Sequence, residues 1–189
     1  MRLSRKRKAV YAGVVLEAGD PGEAGRVRVS LPAFHEERWA RIATFSAGDH
    51  RGSWFVPEAG DEVIVAFEGG DPRKPFVIGS FWGTATPPES ASERKVLRTR
   101  NGATIALDDG AGTIEIEDAN GNAVVLKTSG IEVTAAAKLT LSASAIELSA
   151  GMIDVNAGAS RFSGVVECQT LVATSVVAQR YTPGEGNVW

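Results

Sequence analysis

The chain has 189 residues, 43% of them hydrophobic, and a formal net charge of −3. That length supports one or two small domains with real cores, and the charge excludes a chain that holds nucleic acid by overall positive charge. A single cysteine, Cys168, excludes an intrachain disulfide framework; it reads as a small buried hydrophobe in a protein assembled in a reducing compartment.

The charge is unevenly spread. Residues 1–98 carry 15 Lys/Arg against 13 Asp/Glu, and residues 99–189 carry 5 against 10. A basic head and an acidic tail predict two structural units. Residues 1–9 are a basic tail with Arg2, Arg5, Lys6, Arg7 and Lys8. No apolar segment follows it, so it is not read as a secretory signal. The run is either a solvated block or a dock for an acidic partner surface. No apolar run approaches the roughly 20 residues of a membrane-spanning helix. Assembly in the cytoplasm without a signal peptide is expected.

Residues 10–83 predict a small barrel. Strand candidates cover residues 10–16, 26–31, 39–44, 63–67 and 75–79. Arg26-Val27-Arg28-Val29-Ser30-Leu31 alternates polar and apolar residues, the pattern of a half-buried strand. Gly19-Asp20-Pro21-Gly22 and Gly69-Gly70-Asp71-Pro72 are turns. Short strands with no helical period point to a closed or partly closed barrel. Residues 84–96 read as a Pro/Ser/Thr-rich linker.

From residue 97 the composition changes to Ala, Ser, Thr, Gly and β-branched residues. Apolar pairs recur: Ile114/Ile116, Val124/Leu126, Ile131/Val133, Leu139/Leu141, Ile146/Leu148 and Ile153/Val155. Within each pair the spacing of two puts both side chains on one face of a strand. The short period predicts β-helical stacking over residues 97–180, not a run of ordinary hairpins. One chain cannot enclose a core with such thin rungs. Three chains can, with the paired residues at a three-fold axis. A sandwich of short strands is the alternative.

The search for chemistry is unproductive. Glu36/Glu37, Asp61/Glu62, Asp108/Asp109 and Glu115/Glu117 are paired carboxylates, which a cell-wall- or glycan-degrading enzyme, the first rival reading, would use; each is read instead as a turn or a solvated strand face. His35 and His50 carry no metal-ligand spacing. The glycines of residues 48–52 and 69–70 open no helix, as a phosphate cradle would require. The sequence predicts no catalytic residue, no metal and no cofactor. An oligonucleotide-binding surface of Arg26, Arg28, Arg38, Arg41, Trp39, Phe45 and Trp54 is the second rival, opposed by nearly cancelling charge.

Several motifs carry a resemblance. They are Gly25-Arg26-Val27-Arg28-Val29, Trp39-Ala40-Arg41, Gly52, Pro57-Glu58-Ala59-Gly60-Asp61-Glu62-Val63, Phe67-Glu68-Gly69-Gly70-Asp71-Pro72 and Pro75-Phe76-Val77-Ile78-Gly79. In their order and spacing the chain resembles the baseplate assembly protein V family, the central spikes of contractile phage tails. That family is related to the valine-glycine repeat proteins of type VI secretion and to spikes of extracellular injection systems. The resemblance implies an all-β homotrimer: an oligonucleotide-binding-type barrel as a structural collar, then a membrane-puncturing needle. It implies no enzyme, no nucleic-acid partner and only transient contact with the target membrane. A lysozyme domain, which some relatives carry between barrel and needle, would not fit in the linker. A separate hub protein is expected to meet Arg2, Arg5, Lys6, Arg7 and Lys8, or the barrel face. Residues 181–189 form a tip segment without the His-X-His site of some short spikes. There Tyr181, Asn187, Val188 and Trp189 are expected to dock a PAAR-type tip protein, or Trp189 to plug the needle end. A phage tail or tail-like particle, extracellular after release, is the implied location.

Overall fold

The structure is a computed structural model describing residues 9–22 and 25–179. Strands β1 (Tyr11–Ala18), β2 (Arg26–Leu31), β3 (Glu36–Ile42), β6 (Glu62–Phe67) and β7 (Pro75–Ser80) close a barrel in the order β1-β2-β3-β7-β6. The short β4 (Ala47–Gly48) and β5 (Arg51–Gly52) form a separate two-stranded ribbon in the β3–β6 connection. The expected barrel is present, and its cause is the alternation seen in the sequence. β2 buries Val27, Val29 and Leu31 while the residues between them are half-exposed. β6 buries Val63, Val65 and Phe67 in the same way. These side chains fill the barrel with Val15, Ala40 and Val77. Closure needs β1 to pair with both β2 and β6 antiparallel, and β3 to run parallel to β7. Gly13 permits this crossing: a Cβ there would stand 2.9 Å from the Ser30 carbonyl oxygen.

Residues 84–93 link the barrel to a second sheet and are pinned at both ends. The Glu62 carboxylate accepts the Thr84 backbone N–H at 2.7 Å. The Glu89 carboxylate accepts the backbone N–H groups of Ser90 and Ala91. Strands β8 (Arg94–Arg98), β9 (Thr104–Asp108), β10 (Thr113–Glu117), β11 (Ala123–Lys127) and β12 (Gly130–Thr134) then form one antiparallel meander. The chain clusters into one compact unit up to residue 139 and a second from residue 140.

The meander corrects the expectation of β-helical stacking from residue 97. The pairs Ile114/Ile116, Val124/Leu126 and Ile131/Val133 lie on strands joined by hairpins. Turn chemistry explains this. The Asp118 carboxylate accepts the backbone N–H groups of Asn120 and Asn122 at 2.8 and 2.9 Å, closing the β10–β11 loop around Gly121 at φ +86°. The Asp108 carboxylate accepts the Ala111 N–H and shapes the β9–β10 loop. Thr128 and Ser129 alone connect β11 to β12, because Lys127 pairs with Gly130.

From residue 135 to 179 no strand ladder forms within the chain among the described residues. The backbone instead bends at residues 136–137, 144, 151 and 158, then at 163–164, 169, 174 and 179. Successive bends are seven residues apart up to 158 and five apart from 164. Leu139/Leu141, Ile146/Leu148 and Ile153/Val155 each fall between two bends.

Candidate assembly interface

The cross-strand register of the meander sorts its side chains onto two faces. Ile116 pairs with Ile105 and Val124, Ile114 with Leu107 and Leu126, and Leu97 with Ile105. Val124 pairs with Val133, and Leu126 with Ile131. Apart from Lys95, opposite Leu107, one face is wholly aliphatic across all five strands. None of the described residues covers it: Ile116 is 48% exposed and Ile131 69%. Leaving this much contiguous apolar surface in water is costly, and such patches mark interfaces.

The opposite face carries ion pairs around small and branched apolar side chains. The Arg94 guanidinium donates to Glu115 at 2.6 Å and ion-pairs with Asp108 at 3.4 Å and Glu89 at 3.5 Å. Lys127 pairs with Glu132 across β11 and β12. Thr104 and Ala106 are buried beneath this layer. The Arg94 hydrogen bond holds the Glu115 carboxyl below its ordinary range. The Asp108 carboxyl is lowered first by the Ala111 N–H and then by Arg94. The meander is therefore amphipathic, with one face finished and one unfinished.

Residues 139–179 pose the same problem more sharply. Leu139, Leu141, Ile146, Leu148, Ile153 and Val155 are all exposed. Their backbone groups have no intrachain ladder, and a folded backbone needs partners for its N–H and C=O groups. Other chains can supply both the ladder and the apolar cover.

Of the twelve residues predicted as needle core, eleven are exposed in the single chain and Val124 is half-buried. Six sit on the meander face and six straddle the start of the second unit. The sequence reading missed Leu97, Ile105 and Leu107 on the same face. The i, i+2 pair Ile105/Leu107 between Gly102 and Gly110 was the available signal. Arg2, Arg5, Lys6, Arg7 and Lys8, and Tyr181, Asn187, Val188 and Trp189, lie outside the described residues. Cys168, expected to be buried, is exposed in the single chain.

Seven of the eight paired carboxylates, all but Glu117, are held by structural contacts. Glu36 pairs with Arg38 and Glu37 with Arg28. Asp61 accepts the Glu58 N–H, and Asp109 pairs with Lys95. His35 caps a 3-10 turn and His50 tips the β4–β5 ribbon, both in the left-handed region. Among the described residues, no group of three His, Cys, Asp or Glu side chains could hold a metal ion. None of their helices is long and apolar enough to cross a membrane.

Two family models match the chain. Residues 11–82 match the type VI secretion system/phage-baseplate injector OB domain. Residues 95–160 match the phage baseplate V C-terminal trimerisation domain. The type VI secretion system spike protein VgrG3 of Vibrio cholerae is 34% identical over 108 residues, which is 49% of this chain and 11% of that protein. The spike protein VgrG4b of Pseudomonas aeruginosa is 30% identical over 133 residues, 61% of this chain and 16% of the relative. The actin cross-linking toxin VgrG1 of Vibrio cholerae is 36% identical over 88 residues, 41% of this chain and 8% of the toxin. The chain therefore spans a small fraction of these relatives.

Proposed function

Because the chain belongs to the phage baseplate V family of spike proteins, we propose that it is the central spike of a contractile injection machine. Three copies close the apolar faces of their meanders on one axis and wind the residues after 134 into a rigid needle, carried on a collar of barrels. Sheath contraction drives this trimer into the target envelope, and no catalysis is required. In a tail-like particle, a hub protein meets the barrel end through Arg2, Arg5, Lys6, Arg7 and Lys8. At the other end, Tyr181, Asn187, Val188 and Trp189 seat a PAAR-type tip protein.

One observation carries the reading. The apolar face of the meander and the ladder-free residues 140–179 are both incomplete in one chain, and the same operation completes both. Wrapping three chains pairs the backbone and buries Ile146/Leu148 and Ile153/Val155 around one axis. It also leaves no free edge strand along the needle. Static light scattering is the direct test. The reading expects a species about three times the 19.9 kDa chain mass. A stable monomer at micromolar concentration refutes it.

A further inference from the structure

The two ends of the barrel differ. β1 begins, β2 ends and β6 ends at one of them, as the pairings of Tyr11 with Val65, Leu31 with Glu36 and Phe67 with Pro75 require. There the rings of Tyr11, Phe34 and Phe67 pack edge to face, with Tyr11 4.6 Å from Phe34 and 5.8 Å from Phe67. The opposite end carries the β1–β2 turn, the long connection of residues 43–61 and the exit of β7. This second end is tied to the meander: Arg100 ion-pairs with Glu58, and Glu62 holds Thr84.

Four exposed aromatics gather at this meander-side end. Phe45 is 96% exposed, and Trp54, Phe55 and Trp82 are also exposed. The first three flank the β4–β5 ribbon, which is built rather than loose. The Thr44 hydroxyl donates to the Ser53 carbonyl and the Ser53 N–H to the Ser46 carbonyl, both at 2.9 Å. Gly52 at φ +142° turns the chain back against Ser46, where any Cβ would collide with the Ser46 carbonyl oxygen. Between the ribbon and Gly25, Ile42 and Val56 lies a cavity of about 440 Å³. Rigid aromatics beside an open apolar cavity are the anchors of an interface.

We propose that the occupant is a second copy of this chain, its Trp82 seated in the cavity and the aromatic ribbon lying over its linker. The inference rests on the trimeric reading above. Three things select a second copy. The matched trimerisation domain begins at residue 95, so the surface continues directly into an interface between copies. Trp82 opens the linker at this same end and does not line the cavity of its own chain. Asp49 and Arg51 are the only formal charges in residues 43–56 and cancel, so the ribbon offers nothing to an acidic partner or a polyanion. The proposed hub has the other end of the barrel. The clasp would fix each barrel in rotation about the needle axis.

The test places the photoreactive p-benzoylphenylalanine at position 82 of the full chain. Irradiation is expected to give covalent dimers and trimers on a boiled denaturing gel, joined to peptides from residues 44–56. As a second measurement, Trp82→Ala should keep the trimer in light scattering but lower the barrel melting temperature by several degrees. A native protein that is monomeric overturns the spike reading and this inference together. A trimer that cross-links only within one chain, or outside residues 44–56, overturns the clasp alone. So does a Trp82→Ala trimer that melts with the parent.

Discussion

Truncating Ile116 to alanine weighs the apolar face directly. Ile116 sits on the central strand of the meander, between Ile105 and Val124, and is 48% exposed in one chain. If that face met water in the working protein, Ile116→Ala would change stability by no more than about 0.5 kcal/mol. If two other copies cover it, the side chain becomes core, and the loss is about 2–5 kcal/mol per copy. Symmetry repeats the change three times, so the trimer loses about 6–15 kcal/mol, at least a ~10⁴-fold rise in its dissociation constant. Per chain, the same loss lowers the melting midpoint by roughly 4–20 °C for a chain of this size. Light scattering through a dilution series reads the first quantity and thermal circular dichroism the second. A variant that stays trimeric on dilution and melts within about 2 °C of the parent refutes the covered face.

Three further outcomes are expected. Val65→Ala removes two methyl groups from a fully buried barrel position and should cost about 2–3 kcal/mol in barrel unfolding by denaturant. Gly52→Ala forces a Cβ onto the Ser46 carbonyl at φ +142°, and about 1–3 kcal/mol of strain should open the ribbon, seen as lost hydrogen-exchange protection of the Ser53 N–H. The Asp71 carboxyl is held down to about 2 by the Arg73 side chain and then by the Arg73 N–H. Its folded value lies below its unfolded value of 3.8, so its contribution to stability is present above about pH 4 and is lost as the pH falls towards 2. A carbon-13 titration of the Asp71 carboxyl with a midpoint near 3.8 would contradict the contact.

The barrel was legible because burial on a strand has a period of two. Val27, Val29 and Leu31, and again Val63, Val65 and Phe67, write that period directly into the chain. The β4–β5 ribbon was not, since two-residue strands carry no period and their shape depends on bonds between Thr44, Ser46 and Ser53. Of the i, i+2 pairs read from the sequence, Ile114/Ile116, Val124/Leu126 and Ile131/Val133 share the meander face. The connections between them were misread. An antiparallel meander and a wound rung place the same apolar pairs at nearly the same spacing, and only the turns separate the two. Those turns are made by single carboxylates, Asp108 and Asp118, each closing a loop on backbone amides two to four residues ahead. In the sequence Asp108 reads only as a turn or a solvated strand face and Asp118 carries no signal of its own, so the hairpins stay concealed. Arg94 was hidden for a related reason: its partners Glu89, Asp108 and Glu115 meet only after three strands have paired.

The regular bends after residue 135 also set how this chain can change in length. A side chain's face is fixed by its distance from the preceding bend, and a slip of one residue exchanges the two faces of a strand. Deleting a single residue between residues 144 and 158 would put Glu147 or Asp154 where Ile146 or Ile153 should be. Removing or duplicating a whole seven-residue unit would leave every remaining face as it was and alter the proposed needle by one strand spacing, about 4.8 Å. Beyond residue 164 the permitted step becomes five. Wound as proposed, this chain can change length only in whole increments, seven residues before residue 158 and five beyond residue 164.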